Sequence, residues 1–339
     1  ASFLSVFNLA SAGDHVVASA TIYGGTYNLF AVTMKRMGIE FTFVSPDCTD
    51  EELEAAFRPN TKAVFGETIA NPALVVFDIE RFAKAAHAHG VPLIVDSTIA
   101  TPYLSRPIEH GADIVVHSTT KYMDGHAVQG GGVIVDCGTF PWDNGKFPEF
   151  TEPDESYHGV RYVEAFGNAA FIIKCRMQLM RDMGCYPSAT AAFYLNLGLE
   201  TLAVRMKQYC INAQKVAEYL ESRPEVESVC YPGLKSNGAS YELAKKYLPD
   251  GCSGVISFVI KGGRTTAMNF MDALKLASNV VHVADIRTCV LHPASETHRQ
   301  LTDEQLVAAG INAGMIRFSC GLENVEDLIA DLKQAIEKV

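Results

Sequence analysis

Apolar and polar positions along the chain fall into two alternating patterns. Short runs rich in branched apolar residues read as strands: His15–Thr21, Ile39–Val44, Lys62–Glu67, Val91–Asp96 and Ile114–His117. Between them, Asn28–Met37, Asp50–Phe57 and Asp78–His89 carry apolar residues about every three to four positions, the spacing of one helix face. Regular alternation of strand and helix predicts an α/β fold with a mostly parallel central sheet. A triple glycine, Gly130–Gly132, precedes a further strand at Val133–Val135, and Phe140–Val160, rich in Pro, Gly, Asp and Glu, reads as a long surface loop. Ala165–Met183 and Ser188–Leu220 read as helices, the second with Gly198 as a weak breaker. A polar second half has its own strand, Gly254–Ile260, and its own helices, Thr265–Leu276 and Val325–Ile336. These patterns predict a large domain over residues 1–204 and a smaller C-terminal α/β domain over 205–339, divided inside the long helix near Arg205. Ala1–Leu9 already reads as a helix in progress, stopped by Ala12-Gly13-Asp14, so the chain is expected to begin inside a domain.

Three apolar runs end abruptly in polar groups: Glu67-Thr68, Asp96-Ser97-Thr98 and Ser118-Thr119-Thr120-Lys121. Parallel sheets place such ends on one edge, where α/β proteins bind ligands. In an extended segment Ser118 and Thr120 would face one way and Lys121 the other. Two hydroxyls can hold a phosphate, and a desolvated amine can form a Schiff base with an aldehyde, a combination that suggests pyridoxal phosphate. Alone, Ser-x-Thr-Lys is more often an ordinary solvated lysine after a buried strand. Asp96, 25 residues earlier, could pair with a protonated pyridine nitrogen or could cap the next helix. Tyr23, beside Gly24-Gly25, could stack on an aromatic ring or pack as a turn residue. Asn71-Pro72 reads as a turn on spacing alone, and could also place an amide beside a cofactor hydroxyl. Arg317 interrupts the apolar run Met315–Ser319, and a buried guanidinium requires either an internal acid or a ligand carboxylate.

Composition narrows the field. With 28 basic and 39 acidic residues among 339, the net charge of −11 argues against nucleic acid and anionic membrane surfaces as partners. No apolar run reaches spanning length and no signal peptide is recognisable, which with nine scattered cysteines and no Cys-x-x-Cys pair predicts a cytoplasmic protein with reduced thiols. No metal site is expected: His87 and His89 would splay apart on a helix, His292 and His298 flank a loop, and no His-Glu-x-x-His occurs. The triple glycine does not open a helix after a strand, which speaks against a dinucleotide-binding protein, and no Gly-x-Ser-x-Gly elbow appears.

Six motifs taken together carry a resemblance. Tyr23-Gly24-Gly25-Thr26, Glu67-Thr68-Ile69-Ala70-Asn71-Pro72, Val95-Asp96-Ser97-Thr98, Ser118-Thr119-Thr120-Lys121, Leu291–Ser295 with Thr297-His298, and Arg317–Glu323 occur in the order, and over nearly the whole length, in which they occur in the cysteine/methionine-metabolism family of pyridoxal-phosphate enzymes of fold type I. Within that family the segment Phe140–Arg161, with Trp142, Gly145–Pro148 and Tyr157-His158-Gly159, resembles O-acetylhomoserine sulfhydrylases, as does Gly198–Leu202 with Arg205-Met206.

The resemblance implies that Lys121 carries the cofactor as a Schiff base, Asp96 holds its pyridine nitrogen, and Ser118 and Thr120 bind its phosphate. Tyr23 would stack on the ring and serve in acid/base chemistry, with Glu67 also on the cofactor side of the site. Asn71 would lie near the cofactor hydroxyl and the substrate carboxylate, and Arg317 would bind that carboxylate. His282 stands where serine or asparagine commonly helps, and brings a group that can donate, accept or charge near neutral pH. Asp124 stands at a usual glycine and Ser97 at a usual asparagine. The family's phosphate-binding Ser-Gly run and its intersubunit arm would precede Ala1, so the chain reads as a fragment. The implied activity is γ-replacement of O-acetylhomoserine by sulfide to give homocysteine and acetate, in a homotetramer built as a dimer of dimers. Methionine γ-lyase and cystathionine γ-synthase activities are the alternatives within the family, and a non-catalytic scaffold is the alternative outside it.

Overall fold

The computed structural model describes residues 1–296 and 312–339. Six strands form the first sheet: β1 His15–Ser19, β2 Glu40–Val44, β3 Thr61–Glu67, β4 Leu93–Asp96, β5 Ile114–Ser118 and β6 Gly132–Asp136. Their order is β2-β1-β3-β4-β5-β6, with the first five parallel and β6 antiparallel to β5. Successive residues of each strand enter cores on opposite faces, as the pleat requires. Val17, Val64, Val95 and Val115 pack with the helix Ile79–Ala88 through its Ile79, Phe82, Ala83 and Ala86. Val16, Ala18, Phe65, Ile94 and Val116 pack with Phe30, Met34 and an aromatic group on the other face. Coverage of both faces explains why these strands read as continuous apolar runs.

The aromatic group corrects one expectation. Phe140–Val160 is not a surface loop: Phe140, Trp142, Phe147 and Phe150 are buried in the core with Tyr162 and Phe171. Trp142 lies with its ring centroid 5.3 Å from Phe171, 5.0 Å from Phe150 and 5.2 Å from Phe147. Pro and Gly supply the turns, while one large ring per turn anchors the segment to the sheet. Trp142→Ala is expected to cost about 3–5 kcal/mol of stability, measured as a lower urea midpoint at unchanged m-value.

The second sheet has β7 Val226–Cys230, β8 Val255–Ile260, β9 Ser278–Asn279, β10 Cys289–Leu291 and β11 Met315–Ser319, in the order β7-β8-β11-β10-β9. All neighbours are antiparallel except β9 and β10. The predicted helix Ser188–Leu220 is broken at Thr201 into Ala189–Glu200 and Leu202–Glu221. Leu202, Met206 and Tyr209 of the second helix belong to a core of the first sheet, whereas Val216, Ala217 and Leu220 belong to the core of the second. One helix therefore ties both sheets together.

Candidate active site

The carboxyl ends of β3, β4 and β5 and a loop before β10 enclose a cavity of about 380 Å³, within the usual size of small-molecule sites. All nine residues singled out in the sequence line it: Tyr23, Glu67, Asn71, Asp96, Ser118, Thr120, Lys121, His282 and Arg317. Thr98 lines it too, as do Ile99, Val281 and Val283, which sequence reasoning missed. The apolar run around His282 was the signal for Val281 and Val283.

Lys121 is reached by a turn and not by extended chain, so the expected alternation of Ser118 and Thr120 against Lys121 does not hold. β5 ends at Ser118, whose carbonyl accepts the Lys121 N–H at 3.3 Å, and Gly125 N–H returns to Lys121 O at 2.7 Å. That turn brings both hydroxyls and the amine to the same cavity. Thr120 Oγ1 accepts from Gly131 N at 3.1 Å, one use of the triple glycine. The next turn is fixed by the buried Arg205, whose guanidinium donates to Tyr122 O at 2.8 Å and Gly198 O at 2.7 Å. Asp124 is buried, and its Oδ2 receives His126 N–H at 3.4 Å and Val128 N–H at 3.3 Å. Burial, then the neighbouring Arg317 charge, pulls the Lys121 amine below the usual lysine range.

Two carboxyls lie side by side because β3 and β4 pair Glu67 with Asp96. Asp96 does not cap a helix: its Oδ1 accepts from the backbone and the hydroxyl of Thr98, two residues on. Thr98 Oγ1 in turn accepts Ser118 N–H at 2.8 Å, joining β4 to β5 at the site. Ser97, behind them, receives the Thr68 hydroxyl at 3.1 Å and gives its carbonyl to His117 Nδ1 at 3.0 Å. Burial holds the Asp96 carboxyl above its ordinary range. Burial and then Asp96 push Glu67 well above its own, although Glu67 Oε2 accepts Tyr23 N–H at 2.7 Å. Among the described residues neither acid makes an ion pair. Two crowded, desolvated carboxyls favour a bound cation.

Tyr23 precedes the helix Gly24–Asn28, and a Cβ on Gly25 would lie 2.5 Å from its ring. Glycine there lets the ring fold over the helix start while 51% of the residue stays exposed. Asn71 is in the turn that the sequence suggested, and that turn also places its amide on the cavity; its Oδ1 is buried with no hydrogen-bond partner among the described residues. Ser257 Oγ on β8 donates to Pro72 O at 2.6 Å, and Ser257 is paired with Arg317 on β11. The second sheet therefore positions both Asn71 and Arg317. Arg317 has no ion pair among the described residues; its Nη2 donates to Val281 O at 2.8 Å and His282 O at 3.0 Å. Burial lowers it to about 10. The internal acid considered from sequence is absent there, which leaves the guanidinium available to a ligand carboxylate. Thr297 and His298 lie outside the described residues.

A pyridoxal phosphate fits these groups: a depressed amine for its aldehyde, crowded carboxyls for a protonated ring nitrogen, two hydroxyls, and an unpartnered amide oxygen. Comparison with known proteins agrees. Residues 1–337 match the model of the family described as Cys/Met metabolism PLP-dependent enzyme. Homocysteine synthase of Schizosaccharomyces pombe is 48% identical over 338 residues, 99% of this chain and 78% of that protein. O-acetyl-L-homoserine sulfhydrylase of Leptospira meyeri is 44% identical over 349 residues, covering 100% of this chain and 78% of that protein. A Campylobacter jejuni structure assigned as an O-acetylhomoserine (thiol)-lyase, solved with N'-pyridoxyl-lysine-5'-monophosphate, superposes with a TM-score of 0.94 at 40% identity, over 99% of this chain and 80% of that one. The fold is that of the fold type I enzymes, and the chain belongs to the Cys/Met metabolism family of pyridoxal-phosphate-dependent enzymes.

Proposed function

We propose that this protein catalyses γ-replacement, in which sulfide displaces acetate from O-acetylhomoserine to give homocysteine. The observation that carries the reading is the placement of an amine, paired acids and an arginine without an ion pair among the described residues around one cavity, in a chain whose relatives are homocysteine synthases and O-acetylhomoserine sulfhydrylases. Pyridoxal phosphate, when bound, supplies an electron sink for carbanions at the substrate Cα and Cβ. Asp96, in partnership with the ring nitrogen, keeps that sink charged, and Glu67 beside it supports Tyr23 through its backbone N–H. Ser118 and Thr120 hold the phosphate. Asn71 serves the ring hydroxyl and the substrate carboxylate, which Arg317 and His282 also meet. Lys121 would hold the cofactor between turnovers and then move the Cα and Cβ protons, a task suited to an amine held below the usual lysine range by burial and then by Arg317. Tyr23, on the cavity wall, would face the cofactor ring and share in acid/base work. Loss of acetate from Cγ and addition of sulfide there leave atoms and charge balanced.

A cytoplasmic setting accords with nine free cysteines, and among the described residues no helix is long and apolar enough to cross a membrane. A homotetramer assembled as a dimer of dimers is part of the same reading. Phe193, Tyr194 and Leu197 stand exposed on one helix, an apolar surface of the kind that subunits cover.

The test is product analysis by mass spectrometry, using the longest available form of the protein loaded with pyridoxal phosphate and given O-acetylhomoserine with and without sulfide. Homocysteine that forms only with sulfide is the expected result. Dominant 2-oxobutyrate in both conditions would assign a lyase instead.

A further inference from the structure

His282 has an environment that none of the roles above requires. It sits between Val281 and Val283 on the cavity wall, and its own carbonyl and that of Val281 hold the Arg317 guanidinium. Its Nε2 is buried and lies 3.5 Å from Asp285 Oδ2, at the outer limit of contact, with no hydrogen bond among the described residues. Asp285 is fully buried and already committed: its oxygens take Arg287 Nε at 3.0 Å, Arg287 Nη2 at 3.1 Å and the Arg287 backbone N–H at 2.9 Å. The charged groups facing the imidazole are therefore Lys121 from the turn after β5, Arg317 from β11, and Asp285 with Arg287 from its own loop. Three are cations, and the one acid is neutralised by one of them.

We propose that His282 takes up a proton when a substrate carboxylate enters the cavity. Burial keeps the imidazole neutral in the free site, and the nearby Lys121, Arg317 and Arg287 charges act in the same direction. A carboxylate arriving at Arg317 offsets one of these positive charges and supplies an anion that an imidazolium can meet, with Asp285 Oδ2 3.5 Å from Nε2 as a second acceptor. Proton uptake and carboxylate affinity are then linked. Below the free-enzyme pKa of His282 binding is strongest. As pH rises from that value to the higher pKa of the complex, affinity falls by up to tenfold per pH unit, and above both it is flat. Asparagine or serine at this position could hydrogen-bond the carboxylate but could not produce that dependence.

The inference rests on the proposed reaction, and its test uses 4-acetoxybutyrate, which is O-acetylhomoserine without its amino group. Binding to the pyridoxal-phosphate-loaded protein is followed by calorimetry at pH 7 in two buffers of different ionisation heat, which counts protons. The wild type is expected to take up a fraction of a proton that His282→Asn does not. KM for O-acetylhomoserine is expected to rise with pH in the wild type and to be flat in His282→Asn, with the pH profile of kcat shared by both. Uptake that persists in His282→Asn would assign the proton to Lys121 or another group and overturn the inference, as would ligand binding to the wild type with no uptake. In either case formation of homocysteine would leave the proposed function standing. Absence of both homocysteine and ligand binding would remove the proposed function, and the inference with it.

Discussion

Lys121→Ala loses at least about 10⁴-fold in homocysteine formation, while the protein remains folded by circular dichroism. The amine is the group in the cavity that combines nucleophilicity with proton transfer at two carbons, and its removal takes away both. Its depressed proton affinity comes first from burial and then from Arg317, so a larger neutral fraction is present at pH 7 than for a solvated lysine. The variant also loses the yellow colour that a lysine-linked cofactor gives. Because alanine leaves space, a small exogenous amine such as methylamine is expected to restore part of the proton transfer. Retention of more than about one hundredth of wild-type turnover, without added amine, would show that another base carries the reaction. Thr119 and Gly131 hold the turn through backbone groups, so the substitution does not disturb the cavity wall.

The residues of this site were legible in the sequence because three consecutive strands of one parallel sheet each end in chemistry. The polar ends at Glu67, Asp96 and Ser118 could be read without knowing any distance, since topology alone places them on one edge. What the sequence could not supply was the course of the chain past a strand end. Alternation beyond Ser118 fails because Ser118 O takes the Lys121 N–H and closes a turn, and no residue between them forbids or demands that bond. The fate of Arg317 was equally open. Its partners are main-chain carbonyls of Val281 and His282, and a carbonyl is available at every position, so composition cannot point to it. The same limit hid the burial of Phe140–Val160, where Pro and Gly dominate local pattern while a few rings determine packing. Weakly alternating strands such as β7, exposed on Glu227 and Ser228, carried too little apolar signal to be recognised.

Asp96→Asn is expected to lower kcat about 10²–10³-fold with the fold and the Thr98 contacts intact, a loss of the size seen when one preorganised electrostatic partner is removed. Asp96 Oδ1 accepts from Thr98 N at 3.0 Å and from the Thr98 hydroxyl, and an asparagine carbonyl can accept the same bonds. The change falls on Oδ2. A carboxylate oxygen there stabilises a protonated ring nitrogen, whereas an amide presents N–H and favours the unprotonated ring, which withdraws electrons less strongly. The carboxyl is held above its ordinary range by burial, and Glu67 in register beside it is held higher still. A ring-nitrogen proton at that position would relieve a crowded acidic pair and charge the cofactor in a single contact. A cofactor analogue methylated on the ring nitrogen separates the two effects, because its positive charge needs no carboxylate to persist. In Asp96→Asn that analogue should recover a substantial part of the lost rate, and in the wild type it should recover nothing. Equal rates for Asp96→Asn and wild type with the natural cofactor would show that ring protonation is not what Asp96 supplies. An unrecovered loss with the analogue would instead assign Asp96 to holding the cofactor in position.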